Sequence, residues 1–211
     1  GIAVLNSADF DEKQLEDKIS SIAQVDKSML MQSTDGIAEN ESENQSVSMI
    51  VPKAPENMGD YIDLVSAENG SNLEVKSGSV IITQKLAKLL DLKTGDTITI
   101  KLSGHEEKEF KIGGVSKNYA LHYIYITPYD FESVYGEKPV YNLSFIDLKK
   151  NTDENSFKEQ LIANDEFYGI SFKNDSSRGF LNSVTALTLS LFCSSFALEA
   201  WRLWCFTIWQ T

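Results

Sequence analysis

Residues 79–102 read SVIITQKLAKLLDLKTGDTITIKL. Val80 to Thr83 form a short apolar run with a polar boundary, which reads as a buried strand. Gln84 to Leu90 follow as a helix, with Leu86, Leu89 and Leu90 expected to face inward. Lys93-Thr94-Gly95-Asp96 is a turn in which Gly95 can take a positive φ without a Cβ clash. Thr97 to Leu102 then alternate apolar and polar residues, the mark of a half-buried strand. Strand, helix, turn and strand within 24 residues place the chain among mixed α and β proteins.

The same signals extend outward. SGHEEKE closes a hairpin after Leu102, and FKIGGVSKNY returns, with Gly113-Gly114 inside the strand marking a bulge. LHYIYITP reads as a strand, and YDFESVYG as a short helix ended by Gly136. Upstream, SADFDEKQLEDKISSIAQV reads as a helix with Ser7 or Asp9 as N-cap and Leu15, Ile19 and Ile22 at helical spacing. Strands at Ile2 to Leu5 and Lys27 to Gln32 flank it, giving β-α-β. The polar stretch STDGIAENESENQS reads as an exposed hairpin tip or loop. SVSMIVPKAP supplies a strand stopped by Pro52 and Pro55. PENMGDYIDLVSAENGSNLEV reads as a short helical turn and an irregular connection, with Asn69-Gly70 as a turn. A second β-α-β follows, with strand Tyr141 to Leu148, helix Asp153 to Ala163 and strand Gly169 to Lys173.

The expected fold class is α+β. A split β-α-β (ferredoxin-like) subdomain comprises residues 1–34 and 140–175, and a β-rich subdomain of residues 35–139 is inserted in it. Residues 176–211 form an apolar tail with a C-terminal helix.

Composition limits the function. The 211 residues are 42% hydrophobic, enough for one substantial core or two small ones. A net charge of -12 argues against nucleic acid, since no basic stripe can release counterions from phosphates. Both cysteines, Cys193 and Cys205, and all three tryptophans lie near the C-terminus. The cysteine-free body suits an extracytoplasmic or a cytosolic protein alike.

VIITQKLAKLLDLKTGDTITI, GGVSKNYALHYIYITPYDFESVYG and YNLSFIDLK together resemble the extracytoplasmic domain of FtsX-like ABC transporter permeases, in the large Gram-positive branch akin to the MacB periplasmic core. The resemblance runs in order from about Phe10 to Asn174, with Asp91 standing where such permeases often carry glycine. It implies a non-catalytic extracellular domain on the cell membrane. Transmembrane helices would lead into and out of it and couple to a cytoplasmic ABC ATPase. No cofactor is implied in the domain, because ATP belongs to that separate subunit. The domain would transmit movement between ATP hydrolysis and an extracytoplasmic target: a lipid, an antimicrobial peptide or a cell-wall enzyme. The alternative is a secreted or membrane-anchored binding module acting alone.

The resemblance also bears on the tail, ALEAWRLWCFTIWQT. Such permeases continue here into a long membrane helix. Reading the third base of each codon with the first two of the next permits Ala-Leu-Val-Val-Leu-Tyr-Asn-Leu-Ala-Asn, a membrane-like string. The expectation is that residues 176–211 begin a transmembrane helix and continue out of frame. The apolar stripe would then need a partner, either the body of the same chain or a second copy in a tail-mediated homodimer.

Reactive constellations are missing from the sequence. His105 and His122 lie on separate elements, and His105-Glu106-Glu107 is not the His-Glu-x-x-His zinc pattern. No Gly-x-Ser-x-Gly elbow and no phosphate loop before a helix is present. The expectation is no enzyme activity, no catalytic residue and no metal. Tyr119, His122, Tyr123, Tyr125 and Tyr129 concentrate in one stretch, together with Phe131 and Tyr135. They form either a surface for an extracellular protein or peptide, since tyrosine joins an apolar body to a polar tip, or an aromatic mini-core.

Overall fold

The computed structural model describes residues 1–5, 11–40, 43–117, 122–163 and 167–172. Tyr119 and the whole apolar tail lie outside the described residues. The described residues fall into a main unit, Ile2–Ile170, and a small terminal unit that holds Gly1, Ser171 and Phe172.

In chain order the strands are β1 (Ile2–Leu5), β2 (Val25–Glu39), β3 (Asn44–Pro52), β4 (Val80–Thr83), β5 (Thr97–Leu102), β6 (Lys108–Ser116), β7 (Tyr123–Tyr125), β8 (Leu143–Leu148) and β9 (Phe167–Ser171). The helices are α1 (Glu12–Ser21), α2 (Gln84–Leu89), α3 (Pro128–Tyr135) and α4 (Glu154–Ile162), with a 3-10 turn at Pro55–Asp60. None of the described helices is long and apolar enough to cross a membrane.

One nine-stranded sheet runs in the order β3-β7-β4-β6-β5-β2-β8-β1-β9. β3 pairs with β2 as well, along nine residue pairs from Met31↔Pro52 to Glu39↔Asn44. That pairing closes six strands, β2-β3-β7-β4-β6-β5, into a barrel and leaves β8, β1 and β9 as a lateral extension. β2 serves both parts. Its first half pairs with β8, and its second half pairs with β3 on one side and β5 on the other. Gly36 stands at the β2–β5 seam. A Cβ there would lie 2.7 Å from the Lys101 carbonyl oxygen, so the close approach of the two backbones depends on its absence. The expected boundary at residues 34 and 35 falls inside this unbroken strand.

The barrel is filled by inward residues of every strand, among them Ala38, Met49, Ile82, Ile98, Ile112 and Ile124, all essentially without solvent contact. Leu86, Ala87 and Leu90 of the α2 segment and Phe131 of α3 complete this core. Leu89, expected inward, is 40% exposed. Positions i, i+1 and i+4 already form the buried stripe of so short a helix, and Leu89 points away from it.

Two further expectations change. Of the two readings of residues 33–46, hairpin tip or loop, the hairpin holds, but its strands run farther than expected: β2 continues to Glu39 and β3 begins at Asn44. Ala38 and Val47 supply the inward positions of this otherwise polar hairpin, too few to make the stretch read as apolar. The N-cap of α1 is Asp11, whose Oδ1 accepts from the Gln14 amide at 2.9 Å, rather than Ser7 or Asp9. Lys53 at the end of β3 lies 2.9 Å from Glu16 and 3.1 Å from Glu12, which ties α1 to that strand.

Other local readings hold. Val80 pairs with Ile112 and Ile81 with Gly114, so Gly113 is the extra residue of a bulge between β4 and β6. Gly136 ends α3 with φ 74 and donates to the Glu132 carbonyl. Asp91 has φ 49, a left-handed conformation that glycine adopts freely and aspartate tolerates.

Candidate functional site

Residues 53–79 connect β3 to β4 and belong almost wholly to turns and irregular chain. They cover the outer face of the barrel. Met58, Leu64 and Val75 are buried there against Ile50, Ile81 and Tyr125 of the barrel and Phe145 of β8. Tyr61 stacks on Phe145 with centroids 5.4 Å apart and planes 13° from parallel. The Lys27 ammonium sits 5.5 Å from the Tyr61 centroid and 3.1 Å from Asp60. Burial pushes the Tyr61 hydroxyl up to about 12, with Asp60, Asp147 and Asp26 adding to the shift. Farther along, the Leu73 amide donates to the Leu64 carbonyl at 2.7 Å, and the Lys117 amide donates to Val65 at 2.7 Å. The segment is therefore tied to the sheet at Asp60 and Tyr61 and again, beside the end of β6, at Val65.

Between this segment and the start of α3 lies a groove of about 770 Å³. Met58, Leu64 and Val75 form its floor, and Glu56, Asp63, Glu74 and Lys76 its rim. The α3 wall is fixed by a small polar network. Thr127 Oγ1 accepts from the Asp130 amide at 3.1 Å and donates to Asp130 Oδ2 at 2.9 Å. The same Oδ2 accepts from the Gly78 amide at 2.9 Å, and Ser77 Oγ lies 3.3 Å from Thr127 Oγ1. One helix cap thus holds both the helix start and the end of the irregular segment.

The structure does not bring the residues singled out in the sequence onto one surface. Tyr129 lines the groove and is 73% exposed. Tyr125 is 1% exposed, within the core beneath the segment. Tyr123 is half-buried with its ring 6.1 Å from that of Tyr125, and burial, followed by Tyr125 and Asp35, pushes its hydroxyl well above the ordinary tyrosine range. His122 Nδ1 lies 3.1 Å from the Ser46 carbonyl oxygen, beside β3. Tyr119 lies outside the described residues. Of the neighbouring aromatics, Phe131 and Tyr135 pack 4.9 Å apart at the barrel core, and His105 meets the Tyr135 ring edge-on at 4.9 Å.

The groove floor was not singled out in the sequence. Its residues sit in aperiodic chain, where no spacing marks which apolar side chains share a face. Chemically the groove offers carboxylates, one ammonium and an apolar floor. Its aliphatic hydroxyls, Ser77 and Thr127, are engaged with each other and with Asp130, and Tyr129 adds an exposed phenol. Among the described residues no group of three or more His, Cys, Asp or Glu side chains is placed to hold a metal. The arrangement suits binding.

No family model and no curated protein matches the chain. Solved structures do. The crystal structure of the extracellular domain of the noncanonic ABC-type transporter YknZ from Gram-positive bacteria superposes with a TM-score of 0.52. The match covers 81% of this chain and 100% of that one at 16% identity. The chain shares the fold of that transporter extracellular domain. The periplasmic region of MacB from Actinobacillus actinomycetemcomitans also matches, at 13% identity over 81% of this chain and 86% of that one, with a TM-score of 0.49. In the permease-domain fold seen here, the barrel and the lateral strands share β2, and the groove lies on the outer wall of the barrel.

Proposed function

We propose that the chain is the non-catalytic extracellular domain of an ABC transporter permease, coupling ATP hydrolysis by a cytoplasmic subunit to work on an extracytoplasmic target. The likeness to the YknZ domain over its whole length carries this reading. The strand order β2-β8-β1-β9 supports a split ferredoxin-like part. In it α1 connects β1 to β2, and α4 connects β8 to β9. In this reading the parts of the chain before about residue 34 and after about 140 are membrane-proximal and the stretch between them is the insertion, with β2 shared by both.

The small terminal unit supports the same plan. A Cβ on Gly1 would lie 2.8 Å from the Phe172 ring and 3.1 Å from the Ser171 carbonyl oxygen. The two crossings of the membrane would therefore begin and end side by side. A rearrangement of the domain would be the coupling element between the outside target and the ATPase. Isolation of the native protein from solubilised membranes is expected to recover an ATPase with it. Recovery from the secreted soluble fraction, with no ATPase attached, would overturn the proposal.

A further inference from the structure

The backbone along one wall of the groove is idle. Among the described residues, no hydrogen bond reaches the peptide N–H or C=O groups of Glu74, Val75 or Lys76. Leu73 to Lys76 belong to no helix, strand or turn. Their exposure nevertheless alternates as in a strand: Glu74 and Lys76 face solvent and Val75 is buried. Unpaired peptide groups beside a groove are a template for adding a strand. The floor is apolar. The rim carries Glu56, Asp63 and Glu74 against one cation, Lys76, whose ammonium is already 2.9 Å from Glu74.

We propose that this groove binds a short, free peptide in extended conformation, one in which basic and apolar residues alternate. The peptide pairs its backbone with Glu74–Lys76. Its apolar side chains enter over Met58 and Val75, and its basic side chains meet Glu56 and Asp63. A folded protein partner fits less well, because a stable protein interface takes roughly 800 Å² from each side. A half-enclosed groove with three idle peptide units matches a single strand. The inference uses the groove alone and stands apart from the transporter reading, so each can fail without the other.

The test uses the full chain and a fluorescein-labelled eight-residue peptide of alternating lysine and valine, read by fluorescence anisotropy. Binding is expected, with affinity falling as salt rises. Its counterpart with glutamate in place of lysine should not bind. The triple variant Glu56→Lys, Asp63→Lys, Glu74→Lys should weaken the lysine peptide by about tenfold or more, the effect of turning several exposed attractions into repulsions. Glu106→Lys, Glu107→Lys, Glu109→Lys changes the net charge equally, away from the groove, and should weaken binding far less. A peptide N-methylated at alternate residues, which removes its pairing donors, should also lose affinity. Equal losses in the two triple variants would reduce the binding to net charge and overturn the proposal. Undiminished binding of the N-methylated peptide would do the same. Self-association of the chain that the groove variant abolishes, with no peptide binding, would assign the groove to a second copy instead.

Discussion

Gly113 shows how much can hang on one missing methyl group. As the extra residue of the β4–β6 bulge it faces Ser79, and a Cβ at Gly113 would stand 2.8 Å from the Ser79 Cβ. Gly113→Ala is expected to destabilise the domain by about 1–3 kcal/mol, the usual cost of overpacking a tight site. Ser79→Gly in the same chain should restore much of that loss, as urea denaturation would show. A neutral Gly113→Ala would mean that the bulge opens at no cost. Tyr61 carries a different signature. Its hydroxyl is held at about 12 in the folded chain against an ordinary 10.0, so the unfolded chain ionises first as pH rises. Its contribution to stability is complete below pH 10 and is lost as pH climbs through 12. Tyr61→Phe should therefore flatten the fall of stability between about pH 10 and 12 relative to the parent chain, measured by denaturation at each pH. An unchanged slope would show that the stacked ring is not shielded from solvent.

Among the elements, α3 joins barrel and groove. Its N-cap, Thr127, holds Asp130, and Asp130 holds the Gly78 amide. Thr127→Ala should cost about 1 kcal/mol through the lost cap. It should also speed amide exchange at Gly78, because the Asp130 carboxylate loses the hydroxyl that orients it. A cap loss with Gly78 protection intact would separate the helix from the groove wall. The elements were legible to differing degrees. β4, β5, α3 and α4 followed from periodicity, Gly and Pro, because their apolar residues recur at the period of the element. The outer part of the β2–β3 hairpin, residues 33–39 and 44–46, did not. Its inward positions Ala38 and Val47 are small or isolated, and its polar outer face dominates the pattern. Leu89 escapes the pattern for a related reason: in six residues of helix, two stripes fit the same leucines.

For the whole molecule, the meeting of Gly1 with Ser171 and Phe172 gives a direct measurement. With Cys193 and Cys205 replaced by serine, a chain carrying Gly1→Cys and Phe172→Cys should form an intramolecular disulfide under mild oxidation. The crosslinked chain should show a mobility shift on non-reducing gels that thiols reverse. Failure to crosslink would separate the two ends and remove the support they lend to a membrane-loop arrangement.

The sequence by itself determined the order and kind of the elements, the bulge at Gly113, the stop at Gly136 and the mixed α and β class. Each of these depends on contacts within a few residues, where backbone geometry sets the period that side chains must follow. The tertiary structure alone decided that six strands close into a barrel. β3–β7 and β4–β6 are parallel pairs, and the members of each pair are joined by long stretches of chain with no local signal of register. It alone decided that Tyr125 is core while Tyr129 is surface, since that depends on what covers each side of β7 and the start of α3. The groove belongs to the same class. Met58, Leu64 and Val75 come together on the barrel wall only after the segment that carries them has been laid across it.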